Sequence, residues 1–481
     1  MIKKTNWFLI VILFLTAISC DDFETDLNVE NPNDPDATAI LSDKDALNSL
    51  AGSMFHTWFM TTASTKGPGA AFNTMADIST CSWGNFGMKD LSSEPRSTFN
   101  NSTSYGNDVT STYFDDMYSV YANSNKLLAA IDNGIEFDDV NSIKLSANMG
   151  LALSIGYLSL VFDKILIVEN GEVKKIDYKE GMTFALARLD EAIALADAGA
   201  GLPDNSIPGA TVDGASMSKL LNSFGARMLV NNVRNSAQKS NIDWNKVKTY
   251  ATNGINADFK IHMDDVNWYD LIPKTYLVYP GWGRVDMRII HLMDSNTIDY
   301  WSDTTTTVAE STSSDLRLAT DFKYLSANNF RPNRGLYHFS SYRYSRYDDY
   351  ISVWVMDLVE YTKSENDMYL AEAELELGNT SVAANIVNAG TRTTRGGLAN
   401  VATNVQDVHD AIFYERMVEF GFSTMGIGFF EMRKENLLQP GTLLHFPIPG
   451  KTLETLNEDI YSFGGTSGVA GEDYSNGGWR N

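Results

Sequence analysis

Cysteine is almost absent from this chain: its 481 residues hold two, Cys20 and Cys81. A disulfide framework is thereby excluded as the main source of stability, and a hydrophobic core has to supply it. Histidine is nearly as scarce. The six (His56, His262, His291, His338, His409, His445) form no H-E-x-x-H and no i, i+4 pair, so a zinc site lacks its ligands and no metal or cofactor is expected. No G-x-S-x-G, phosphate-binding loop or dinucleotide fingerprint occurs either. Basic residues are short, 37 Lys and Arg against 61 Asp and Glu, for a formal charge of −24. That imbalance argues against nucleic acid and against an anionic membrane surface as partners, and it favours neutral or cationic ligands. Beyond Cys20 there is no run of eighteen apolar residues, so nothing there reads as a membrane span.

The N-terminus is a different matter. Lys3 and Lys4 precede the apolar run Trp7 to Leu15, then Thr16-Ala17-Ile18-Ser19-Cys20. A basic start, a short apolar core and small residues before a cleavage point describe a secretory signal over residues 1–19. As a helix, residues 7–18 would reach about 18 Å, short of a hydrocarbon core of roughly 30 Å. Cys20 after a small residue resembles a lipobox, in which the Cys becomes the new N-terminus and carries acyl chains. Each buried methylene contributes about 0.8 kcal/mol, so two or more chains anchor stably. Loss of Lys3 and Lys4 takes the formal charge from −24 to −26. Residues 20–43, with Asn31-Pro32-Asn33-Asp34-Pro35, read as an acidic tether too poor in apolar groups to fold alone. The spacing and Gly of an EF-hand calcium loop are missing there. Cys81, left without a partner, reads as a small buried apolar residue.

From residue 44 helical period dominates. Apolar-faced helices are expected around Tyr113–Ile131, Leu145–Phe162, Phe184–Leu195, Met217–Val233, Trp244–Ile255, Tyr369–Leu377, Val382–Ala389 and Val408–Phe420. Ala371-Glu372-Ala373, then Leu377-Gly378, then Ala383-Ala384 is the pattern of a helical hairpin: small residues for close approach, with Gly at the turn. Such hairpins must stack to bury their faces. The expected fold is therefore mostly α, a scaffold of TPR-like helical hairpins over 44–261 and 362–481. Between them, residues 262–361 hold eighteen Phe, Trp and Tyr in one hundred positions, against 11% aromatic overall, and the helical period fades. Tyr337 to Tyr344 alternate as a short strand or extended loop would. This stretch is expected to be a loop-rich subdomain.

These landmarks, in order, resemble the SusD/RagB family from Cys20 to the end. Met117-Tyr118 with Asn125 and Leu127-Leu128 resembles the family's first-helix motif. Ala371-Glu372-Ala373, Leu377-Gly378, Ala383, Asn388, Arg392 and Gly396-Gly397-Leu398 follow its most recognisable segment. Glu415-Arg416-Met417-Val418-Glu419-Phe420 and Phe430-Glu431-Met432-Arg433-Lys434 are similar to its E-R-x-x-E-L and F-D-L-x-R, and Phe446-Pro447-Ile448-Pro449 closes the set. The E-G-x-R between those two pieces is replaced around Ser423 to Gly428. The acids after Cys20 also resemble the surface-export tag of lipoproteins in the phylum that uses such proteins. The resemblance implies an outer-membrane lipoprotein facing outside, lying as a lid over a TonB-dependent, SusC-like transporter. It implies a ligand that is an oligosaccharide, or a peptide in the RagB manner. Glu415, Arg416, Glu419 and Arg433 are read as ion pairs pinning a C-terminal helix to the scaffold, since no nucleophile or metal ligand accompanies them.

A sugar ring offers an apolar C–H face and an edge of hydroxyls, so a site for it needs aromatic plates and a few polar groups. Aromatics beside Gly, Asn and Pro are on loops and are the candidates: Trp83 and Phe86, Trp268, Tyr279 and Trp282, and Trp301. Arg331 and Arg343, with Arg284, supply forked donors. The adjacent acids Asp115-Asp116, Asp138-Asp139, Asp264-Asp265 and Asp348-Asp349 point in different directions on any regular element and read as caps and solvated surface. No catalytic residue is assigned. A lipid-anchored glycoside hydrolase remains the remoter alternative, because two carboxylates across a cleft can come from any part of a chain.

Overall fold

The longest apolar-faced runs build the scaffold of the computed structural model, which describes residues 43–65, 67–80, 87–102, 104–169, 171–271, 274, 283–299, 309–325, 339–422 and 425–479. Its principal helices are α1 (Lys44–Ala63), α2 (Gly69–Met75), α3 (Ser104–Asp132), α4 (Val140–Val161), α5 (Tyr178–Asp197), α6 (Gly214–Asn231), α7 (Trp244–Thr252), α8 (Met287–Met293), α9 (Lys363–Glu376), α10 (Thr380–Ala389), α11 (Val405–Val418) and α12 (Ile427–Lys434). The chain is mostly α, as its periodicity implies, and it forms one compact unit from Lys44 onward.

Side-chain size sets how these helices meet. In α4 every residue from Leu145 to Val161 is buried, because α3, α5, α6 and α1 all pack against it. By length and composition α4 would span a membrane, yet 94% of its apolar window is covered by the protein itself. Its small residues allow that crowding. A Cβ at Gly150 would lie 2.1 Å from Ser124 Oγ on α3. The hairpin of α9 and α10 forms as its composition requires, with Ala371, Ala373, Ala383 and Ala384 at most 1% exposed. Gly378 turns it at φ +83°, where a Cβ would be strained. Carboxylates start several helices: Asp139 accepts from the N–H groups of Asn141 and Ser142, and Asp177, Asp213 and Asp243 do likewise for α5, α6 and α7.

The strands are short and paired two by two: β1 (Ser79–Thr80) with β5 (Arg284–Val285), β2 (Lys164–Glu169) with β3 (Glu172–Asp177), β4 (Phe259–Met263) with β8 (Met356–Tyr361), and β6 (Phe322–Tyr324) with β7 (Tyr342–Tyr344), all antiparallel. The β4–β8 ladder joins His262 to Asp357 and Met263 to Met356, so the aromatic-rich stretch leaves and re-enters the scaffold at one place. The β2–β3 hairpin is an element that helical periodicity does not reveal. Its signal is the Asn170-Gly171 pair between Ile165/Ile167 and Val173/Lys175.

Buried charge ties the C-terminal helices to the rest. Arg416 on α11 donates to Glu372 on α9 at 2.6 Å and to Glu431 on α12 at 2.7 Å. Glu415 accepts from Arg317 at 2.7 Å, and Glu419 from Arg317 at 3.2 Å and Arg346 at 2.9 Å. The ion-pair reading of this cluster needs one correction. The described contacts of Arg433 are not with carboxylates; it donates to the carbonyls of Leu160 (3.2 Å), Asn231 (2.7 Å) and Leu444 (2.6 Å). The ends of α4 and α6 leave carbonyls without helical partners, and a guanidinium fork satisfies them.

Candidate functional site

The described backbone gathers the roots of the segments that carry the loop aromatics. In the β1–β5 ladder Thr80 lies opposite Arg284 and Ser79 opposite Val285. The chain leaves β1 at Thr80 towards Trp83 and Phe86, and it enters β5 at Gly283 from Tyr279 and Trp282. Antiparallel pairing puts that exit and that entry at one end of the ladder. Along the other edge of β5, Phe339 bridges Asp286, and Ser340 donates from its N–H and its hydroxyl to Val285 O at 2.9 and 2.7 Å. Phe339 follows the segment that holds Arg331, and that segment begins after Leu325, whose N–H donates to Ser341 O at 2.8 Å. From Arg284 to Asp286 is two residues, about 7 Å.

The segment with Trp301 returns to the same strip. The Asp294 carboxylate accepts from the Asn296 N–H (3.0 Å), the Thr312 N–H (2.7 Å) and the hydroxyls of Ser311 and Thr312 (3.0 and 3.1 Å), while the Ser311 N–H donates to the Tyr342 hydroxyl on β7 at 2.8 Å. The backbone donors of Thr312 and Asn296, with the hydroxyls, hold the Asp294 carboxyl down at about 2. One carboxylate thus closes the neck of that loop. Trp83, Phe86, Tyr279, Trp282, Trp301 and Arg331 themselves lie outside the described residues, as do Cys20 and Cys81.

Two candidates are described, and both are built into the framework. Trp268 is 7% exposed; its ring stacks on Phe59 of α1 at 5.5 Å and meets His56 edge-on at 4.6 Å. Asp264 sets its position by accepting the N–H groups of Val266, Asn267 and Trp268 at 2.7 to 2.9 Å. Burial pushes the Asp264 carboxyl up, but the three N–H donors outweigh it and hold it at about 2. Arg343, 5% exposed, forms a two-pronged pair with Asp348 at 2.6 and 2.5 Å. Arg284, 1% exposed, donates to Gly283 O at 3.0 Å. Sequence distinguishes aromatic from polar, but not a ring that faces a helix from one that faces solvent.

Among the described residues no cluster of three His, Cys, Asp or Glu could hold a metal ion. The described histidines are spread out and hydrogen-bonded, His56 to Asn267 O and His291 to Thr297 O, for example. A groove of about 1120 Å³ runs between α5, α6 and α7, but its walls are small and polar, with Tyr250 its one aromatic. It lacks the plates that a sugar ring would stack on.

No protein-family model matches the sequence, and no curated protein is similar to it. Solved structures are similar. A SusD superfamily protein from Bacteroides vulgatus superposes with a TM-score of 0.60 at 14% identity, over 86% of this chain and 97% of that one. The chain has the SusD-superfamily fold. A SusD-like carbohydrate-binding protein from Bacteroides vulgatus shares it at TM-score 0.53 and 14% identity, over 81% of this chain and 83% of the other. So does a protein crystallised with a xylogluco-oligosaccharide, at 0.53 and 14%, over 89% and 92%. At that identity the SusD-like fold is held by burial pattern and helix packing rather than by shared side chains, so residues of the site do not carry across.

Proposed function

We propose that this chain is a surface lipoprotein of the outer membrane that binds an oligosaccharide outside the cell and passes it to a TonB-dependent transporter of the SusC kind, without altering it chemically. The observation that carries this reading is the fold shared with a carbohydrate-binding protein and with one crystallised with an oligosaccharide. The strip between β1, β5 and β7 supports it, since loops rich in Trp and Tyr are rooted there. Trp83, Phe86, Tyr279, Trp282 and Trp301 supply the stacking faces, and Arg331 a forked donor. Cys20 holds the protein at the membrane through its acyl chains.

Titration of the chain without residues 1–20 against a panel of oligosaccharides and peptides tests the reading. Saturable binding of an oligosaccharide, recovered intact, is the expected result. Binding confined to peptides transfers the same architecture to peptide uptake, which the −26 balance of the mature chain favours. Release of shorter products by the purified protein alone would overturn the non-catalytic assignment.

A further inference from the structure

Two lysines are buried among the described residues, Lys434 and Lys274, and their surroundings differ. Lys434 Nζ lies 2.9 Å from Glu431 and also meets Glu372, while the Arg416 guanidinium reaches both of those carboxylates. Burial pushes the Glu372 carboxyl up, but Arg416, Lys434 and Lys239 outweigh it and hold it well below its ordinary value. Carboxylates so firmly ionised make a structural ion-pair cluster.

Lys274 is set differently. Its Nζ is 2.5 Å from Asp270 Oδ2 and 3.6 Å from Glu360 Oε2, and the three side chains are at most 2% exposed. That approach puts the carboxyl carbon of Asp270 roughly 3–3.5 Å from the nitrogen, the separation from which a nucleophile attacks. The surrounding elements hold the pair in place. The Asp270 N–H donates to the Tyr350 hydroxyl at 2.9 Å and the Leu271 N–H to Ala63 O at 2.9 Å, while the Tyr347 ring lies 5.8 Å from Nζ.

Glu360, on β8, is the group that the Lys434 cluster lacks: a carboxyl that exchanges a proton near neutral pH. Burial pushes it up to about 7, with Lys274 and Arg227 pulling it down and Asp270 and Glu365 pushing it up. Burial also pulls the Lys274 ammonium down, but Asp270 and Glu360 outweigh it and hold it up, so the free amine is the minor form. A minor form suffices for a reaction that happens once per chain, between groups already in contact.

We propose that Lys274 and Asp270 condense to an intramolecular amide, with Glu360 as the proton carrier. Ionised Glu360 takes one proton from the Lys274 ammonium, and the freed lone pair attacks the Asp270 carboxyl carbon. A C–N bond forms and a C–O bond breaks. The two hydrogens that the nitrogen sheds leave with one Asp270 oxygen as water, one of them by way of Glu360, which ends as it began. The reaction is a dehydration and needs no oxidant or cofactor. It removes one positive and one negative charge whose burial is costly. The product closes residues 270–274 into a covalent ring just beyond β4, and it forms whatever ligand the protein binds.

The test is the mass of the chain without residues 1–20, purified folded and then denatured. The parent is expected to be one water, about 18 Da, lighter than its sequence. Trypsin should fail to cut after Lys274, and tandem mass spectrometry should place the link between Lys274 and Asp270. Asp270→Asn offers a carboxamide to the same amine and should lose ammonia instead, about 17 Da. Glu360→Gln and Lys274→Met should keep their full mass, and circular dichroism checks that each variant folds. A parent with the full mass of its sequence, ordinary cleavage after Lys274, or the parent's deficit persisting in Lys274→Met would each overturn the proposal. A deficit that survives Glu360→Gln would remove the proton carrier from it.

Discussion

Arg227 on α6 and Glu365 on α9, 138 positions apart, meet in a two-pronged pair: Nε to Oε1 and Nη2 to Oε2 are both 2.7 Å. Both side chains are at most 5% exposed, and the free Nη1 of the fork donates to the Tyr157 hydroxyl of α4 at 3.0 Å. Three helices far apart in sequence are thereby held in register by one guanidinium.

Breaking this pair from one side leaves a buried charge alone. Glu365→Gln is expected to lower stability by about 3–5 kcal/mol. The double change Arg227→Met/Glu365→Leu should recover a large part of that loss, since two apolar groups need no partner. Urea unfolding midpoints of the three proteins check this; an unchanged midpoint in Glu365→Gln would show that the pair is idle.

Two neighbours give opposite pH dependences. Burial, against the Tyr461 hydrogen bond, pushes the Asp163 carboxyl up to about 6. Relative to an unfolded value of 3.8 the folded chain binds the extra proton, so this group's contribution falls as pH rises from about 4 to 6. Burial pulls His445 down to about 4 from 6.5, so there the unfolded chain binds the extra proton and stability rises over about pH 4 to 6.5. The two largely cancel. Asp163→Asn should leave a profile that climbs with pH across that window relative to the parent, and His445→Gln one that descends. Thermal unfolding at half-unit pH steps reads the slopes, and the same sign in both variants would contradict the assignment.

Tryptophans at the loops and in the framework should answer differently. Trp268→Ala removes a ring stacked on Phe59 and is expected to cost about 3–5 kcal/mol of stability. Trp282→Ala should leave the unfolding midpoint in place and weaken oligosaccharide binding by roughly 1–3 kcal/mol, the range known for base stacking on aromatics. Paired calorimetry and unfolding measurements separate the two outcomes.

Gly378 offers a purely conformational test, since a Cβ there would have no atom within 4 Å while φ is +83°. Gly378→Ala should therefore destabilise by about 1–2 kcal/mol through backbone strain alone. A neutral change would mean that the α9–α10 turn relaxes.

At the membrane, Cys20→Ala is expected to move the protein from the membrane fraction to the soluble one. Firm retention after that change would remove the lipid anchor from the account.

Much of this molecule could be read from the chain alone. The long apolar run of α4, the small residues of α9 and α10, and Gly378 at their turn specify packed helices and a hairpin, because apolar content, side-chain size and a left-handed turn are local properties. Tertiary structure alone decided which aromatics are already used. Trp268 and Arg343 have the same composition signals as their neighbours, yet Phe59 and Asp348, remote or near in sequence, occupy them. The same holds for Arg433, which meets carbonyls at the ends of α4 and α6, and for Asp163, which accepts the Tyr461 hydroxyl from 298 positions away. Burial and partnership are set by how the elements pack, in most of these cases between residues far apart in the chain, and no local period encodes them.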